Sequence, residues 1–130
     1  MESLQVRTGQ ISLRILDDSG EERGIFRFNP QDVEVAKRVL DLRGELEIKN
    51  KEFEEQVAKC ETTEEKVNLL TEMVKYFKGL VDECFGAGTS EIVFGDANTL
   101  TMFYDFFEGI TPYYEKASQQ RMAKYGKKKK

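Results

Sequence analysis

From Gln10 to Phe28 apolar and polar residues alternate: Ile11, Leu13 and Ile15 are separated by Ser12 and Arg14, and Phe26 and Phe28 flank Arg27. A period of two puts alternate residues on opposite faces of a strand, and the intervening DDSGEE is a cluster of turn formers. The pattern therefore predicts a β-hairpin over 10–28, with strands near 10–17 and 23–28. Leu4 and Val6 alternate as well, so residues 3–7 are a candidate third strand through a turn at Thr8-Gly9. A lone hairpin is marginal in water and must pack on a helix or on another chain.

After FNPQD, residues 28–32, the period changes. Asn29 is a good helix N-cap and Pro30 suits the first helical position, where its missing N–H is no loss. Apolar positions then fall at Val35, Val39, Leu42, Leu46, Phe53 and Cys60, a heptad spacing that passes through Gly44. The pattern resets at ETTEEK, where Thr62 and Glu65 fit a capping box. A second stripe follows at Val67, Leu70, Val74, Phe77, Val81 and Cys84. Two helices joined by so short a link form an antiparallel hairpin over 30–85. Cys60 is then at its tip and Cys84 about 20 residues down the second helix, about 30 Å away, so the two do not form a disulfide.

Residues 86–97 read as a connector, with a short strand at Ile92–Phe94. Its FGAGTSEIVFGD looks superficially like a phosphate loop, but no strand precedes it and no Lys or Arg lies between Lys78 and Lys116. Gly86 is read instead as a left-handed helix C-cap. Beyond it, Asn98 or Thr99 starts a helix to about Glu108. Gly109 ends that helix, and Thr111-Pro112 starts another to about Tyr125.

The first of these two helices is unusually apolar. Leu100, Phe103, Phe107 and Ile110 make one stripe, while Met102, Tyr104 and Phe106 carry apolar surface further around. Either this helix is wedged between the β-hairpin and the helical hairpin, or part of its surface meets a partner. Under the second reading the partner-binding residues are Met102, Phe103, Tyr104, Phe106, Phe107, Tyr113 and Tyr114. The expected fold is α+β, mostly α, in one domain over 1–126, with C-terminal helices in 98–125 and a disordered lysine tail at 127–130.

Composition narrows the chemistry. The 130 residues include no histidine, which removes the commonest general base and the commonest metal ligand. Asp96 and Asn98 have the first ligand spacing of a calcium loop, but Leu100 stands where the third ligand belongs. The acids around Glu54, Glu61 and Glu65 read as solvated helix faces. No catalytic residues, no metal and no cofactor are expected, and the chain is read as not an enzyme. The formal charge is −4, and −8 without the four terminal lysines, so nucleic acid is not an expected partner. No apolar run approaches a membrane span, and Met1-Glu2 begins no signal peptide.

With these segments placed, a resemblance can be stated. FRFNPQDVEVAKR, the charged helical hairpin, DECFGAGTSEIVFGD and FYDFFEGITPYYEKA together resemble the small tail-assembly proteins of tailed bacteriophages of Gram-positive hosts. The resemblance covers most of the chain, and its most distinctive pieces are F-x-F-N-P-x-D and F-G-x-G-T-S…F-G-D. It implies a non-enzymatic tail assembly chaperone in the host bacterial cytoplasm, binding the tape-measure protein, the tail-tube protein or both. Self-association into a homo-oligomer is expected from the strand edges and the heptads. The alternative is a structural or self-associating coiled-coil scaffold retained in the virion tail. A third reading is a nucleotide or nucleic-acid binder using the connector or the lysine tail.

Overall fold

The computed structural model of the chain describes residues 1–128, with side chains through Ala123. An antiparallel β-hairpin, β1 (Ile11–Leu16) and β2 (Glu22–Phe28), is followed by four helices: α1 (Val33–Lys59), α2 (Thr63–Phe85), α3 (Thr89–Phe94) and α4 (Thr101–Lys128). The fold is α+β, mostly α. Residues 3–7 form no strand, and the sheet has two strands in the order β1-β2.

The hairpin expected over 10–28 is present, with Ile11 opposite Phe28 and Leu13 opposite Phe26, and an irregularity at Ile15/Leu16. Asp17 closes its turn: Oδ1 accepts from the backbone N–H of Ser19 and of Glu21, both at 2.9 Å. The inner face carries Phe26 and Phe28, stacked at 4.9 Å between ring centroids. Phe85 of α2 and Phe106 of α4 meet Phe26 edge-on, so the hairpin is covered by helices, as its marginal intrinsic stability requires.

The start of α1 differs from the expectation. Asn29 does not cap the helix; its Oδ1 accepts from Gln31 N at 2.9 Å in a tight turn that holds Pro30. Asp32 is the N-cap, accepting from the N–H of Glu34 and Val35. Asp32 N donates to Asn29 O at 3.1 Å, closing a turn over Pro30 and Gln31, and Asp32 itself is extended, with φ of −74° and ψ of 109°, so the helix starts past that turn. Thr62 caps α2 as expected, accepting from Glu65 N at 3.2 Å, while the Glu65 carboxylate reaches back to Glu61 N.

α1 and α2 run antiparallel. Tyr76 donates a hydrogen bond to Glu45, and Lys49 Nζ sits 5.5 Å above the Tyr76 ring. The two stripes become core near the base, at Val39, Leu42 and Leu46 on α1 and Val74, Phe77, Val81 and Cys84 on α2. From Glu47 to Met73 no residue is buried, and Phe53, Val57, Leu69 and Leu70 are only half-covered. Cys60 and Cys84 are both free thiols.

Two further differences lie downstream. The connector contains the helix α3 where a strand was expected, and the C-terminal segment is one helix where two were expected. Gly109 and Pro112 do not break α4 because both lie on its exposed side, while Phe103, Phe106, Phe107, Ile110 and Ala117 anchor the opposite face. Proline removes one hydrogen bond, but the freed carbonyl is that of exposed Glu108, where water can satisfy it. Thr111 Oγ1 also donates to Phe107 O one turn before the proline. Of the expected lysine tail, Lys127 and Lys128 belong to α4, and residues 129–130 lie outside the described residues.

Candidate functional site

The short helix α3 sets the shape of a large concave surface. A six-residue helix has no stability of its own, so outside contacts must hold it. α2 supplies them from one face, with Asp82 and Lys78 four residues apart. Asp82 accepts from Ser90 N at 2.7 Å and from Ser90 Oγ at 3.0 Å, and so occupies the N-terminus of α3. Lys78 Nζ donates to Gly95 O at 3.2 Å at the other end. An acid at the N-terminus and a base at the C-terminus both match the helix dipole. The chain enters this unit through Gly86, the C-cap of α2 as expected, but its φ of 117° and ψ of 152° are not the left-handed helical conformation expected of it; they lie in a region that glycine alone adopts readily. The glycine-rich connector is thus a mount for α3. On its other side α3 lies close to the sheet: a Cβ at Gly24 would meet Ile92 Cγ2 at 3.1 Å.

Between the β-hairpin, α3 and α4 lies an open cleft of about 680 Å³. Its apolar lining comes from Leu13, Ile15 and Phe26 of the sheet, Val93 and Phe94 of α3, and Met102, Phe106 and Ile110 of α4. The α4 contribution is a stripe at spacings of four, which one helix face provides. Exposed Arg14, Asp18, Arg23 and Asp105 also line it, giving a rim with both signs of charge. An apolar floor with a charged rim suits a segment of polypeptide.

A smaller groove of about 310 Å³ runs between α1 and α4, bounded by Arg43, Leu46 and Glu47 on one side and Tyr104, Phe107, Thr111 and Pro112 on the other. α4 thus faces concave surface on both flanks.

The seven residues expected to contact a partner divide accordingly. Phe103 is fully buried, packed on Phe77 and Phe94 with centroids at 5.5 and 4.8 Å, and is removed from any partner surface. Phe106 and Phe107 are core residues at 8% and 5% exposure, showing only an edge to the cleft and to the groove respectively. The reason is the wedge position of α4: covered by the sheet, α2 and α3, it buries a wider arc than a surface helix would. Tyr113 and Tyr114 are half-buried against Phe28. Met102 is half-exposed in the cleft, and Tyr104, at 39% exposure, is the most accessible of the seven. The cleft residues on β1 and α3 were not anticipated; the alternation of β1 was their only signal, and nothing in it points to α4.

Titration is shifted at three side chains among the described residues. Burial pushes the Cys84 thiol up to about 11, despite the opposing effect of Arg38. Burial also raises the Tyr114 phenol, whose hydroxyl has no hydrogen-bond partner within the described residues. Tyr76 is raised by its hydrogen bond to Glu45. Among the described residues no three His, Cys, Asp or Glu side chains gather to hold a metal ion, and no helix is long and apolar enough to cross a membrane.

Residues 22–130, from β2 to the end of the chain, match the family of unknown function DUF6673. The chain belongs to the DUF6673 family. No curated protein and no solved structure matches it. In this DUF6673 protein the matched span contains the whole α3 mount and most of the cleft, while β1, which supplies Leu13 and Ile15, lies before it.

Proposed function

We propose that the protein is a non-enzymatic assembly chaperone of a tailed bacteriophage, which holds an apolar segment of the tape-measure or tail-tube protein in the host bacterial cytoplasm until the tail assembles. The observation that carries this reading is the cleft between the β-hairpin, α3 and α4, with its apolar floor, its rim of both charge signs and a strand at its edge. Such a surface covers the apolar stripe of a client without catalysing anything. The sequence resemblance supplies the identity of the client.

The test is co-expression with fragments of the tape-measure protein, reading soluble yield and co-purification. Soluble client should rise several-fold, and Met102→Lys, which puts a charge into the cleft, should reverse the gain while leaving the melt within about 1 kcal/mol of the parent. A client that is equally insoluble with and without the protein would refute the reading. The exposed stretch from Glu47 to Met73, where each helix is covered only by the other, favours a second reading as a self-associating scaffold. Mature particles distinguish the two, because a scaffold stays in the tail and a chaperone leaves.

A further inference from the structure

β1 is paired on one side only. β2 lies along one edge, and among the described residues nothing pairs with the other. An open edge is a row of N–H and C=O groups ready to accept an extended chain. Here the edge borders the cleft, because Leu13 and Ile15 of β1 are half-buried and form one of its walls.

The same chain carries a segment with the complementary property. In residues 3–7, Leu4 and Val6 alternate with Ser3, Gln5 and Arg7, yet the segment forms no strand, and Leu4 and Val6 are 89% and 70% exposed. Five residues span about 17 Å and the six of β1 about 20 Å, so the lengths match. Both segments have a period of two, so one alignment sets Leu4 and Val6 on the face that carries Leu13 and Ile15.

The root of the arm keeps it away from the open edge of its own strand. Thr8 O accepts from Asn29 Nδ2 at 2.9 Å, which ties the arm to the residue that follows β2. Gly9 has a φ of 97°, and a Cβ there would overlap Gln31 Cγ. The arm therefore leaves on the side where β1 is already paired. Reaching its own open edge would require Thr8 and Gly9 to come away from Asn29 and Gln31 and the chain to cross β1.

We propose that the protein forms an arm-exchanged homodimer, in which residues 3–7 of each copy add as a third strand to the open edge of β1 in the other. Leu4 and Val6 then cover the Leu13–Ile15 wall of the partner's cleft. Reciprocal exchange uses the same surface twice and closes the assembly at two copies. It also completes a three-stranded sheet, which is stable where a two-stranded one is marginal.

The experiment is sedimentation velocity on the full chain at tens of micromolar, beside the double variant Leu4→Ser, Val6→Ser. The full chain should sediment as a dimer and the variant as a monomer, with the same helical signal in circular dichroism, since both side chains are exposed and lie outside the helices. Amide hydrogen exchange locates the contact: residues 4–6 and alternate amides of β1 should be protected in the full chain and lose that protection in the variant. A monomeric full chain, a variant that stays dimeric, or a dimer whose β1 exchange matches that of the variant would each overturn the exchange. All three readouts use the protein alone, so their failure is separate from failure of the client-binding reading, on which this inference does not rest.

Discussion

Replacing Asp82 by alanine tests the mount of α3 directly. The carboxylate makes two hydrogen bonds, to Ser90 N at 2.7 Å and to Ser90 Oγ at 3.0 Å, and Ser90 is only 7% exposed. A hydrogen bond to a charged group contributes about 1.5–3 kcal/mol, and loss of a helix N-cap removes about 0.5–2 kcal/mol. The two contributions overlap here, because the Ser90 N–H is itself the capped group. The loss is also limited, because α3 can lift away and let water reach Ser90. Asp82→Ala should therefore cost about 2–3 kcal/mol, a large part of the roughly 5–15 kcal/mol that holds a domain folded. Asp82→Asn retains an acceptor for the N–H and a donor for the hydroxyl, and should cost about 1 kcal/mol. Ser90→Ala keeps the backbone bond and should cost a similar amount.

Urea unfolding followed by circular dichroism measures all three, with the midpoint moving and the slope unchanged. Lys78→Met supplies the control from the other end of α3, since it removes only the bond to Gly95 O. If Asp82 and Lys78 hold one unit, the double variant should cost less than the sum of the singles, because a helix already released has no second end to lose. An Asp82→Ala change below about 0.5 kcal/mol, or strict additivity with Lys78→Met, would refute the clamp.

Five other outcomes are expected. Gly109→Ala should stabilise the protein by about 0.5–1 kcal/mol in the same assay, because Gly109 is helical, exposed and has open space where a Cβ would go; a loss would mean that α4 needs the glycine. Gly86→Ala should destabilise by about 1–3 kcal/mol, because φ of 117° is strained for any residue with a Cβ. Phe103→Ala should cost about 3–5 kcal/mol, whereas Tyr104→Ser, at an exposed site, should stay within about 1 kcal/mol. Iodoacetamide at mildly alkaline pH should alkylate Cys60 and spare Cys84, whose thiol stays protonated up to about 11. The same shift gives a sign for stability. The unfolded chain releases the Cys84 proton near 9.0 while the folded chain retains it, so stability should fall as pH rises from 9.0 toward about 11, and Cys84→Ala should flatten part of that slope.

The hydrophobic pattern alone determined the elements whose order is local. The alternation around Leu13 and Phe26 placed the hairpin, the two heptad-like stripes placed α1 and α2, and Thr62 and Gly86 marked a start and an end that the structure shares. Each of these rests on interactions within a few residues, which a pattern expresses directly. The elements it misplaced are held from a distance. TSEIVF has β-branched residues and reads as strand, yet it is helical because Asp82 and Lys78 grip its two ends. α4 continues through Gly109 and Pro112 because the core face on either side is anchored, and neither residue faces that core. The surplus aromatics of α4 could be counted in the sequence, but whether they face a partner or a core depends on how many elements surround the helix. Phe103 went to the core and Tyr104 to the surface because the sheet, α2 and α3 close around one arc of α4 and leave the other open, and only the tertiary packing decides where that arc ends.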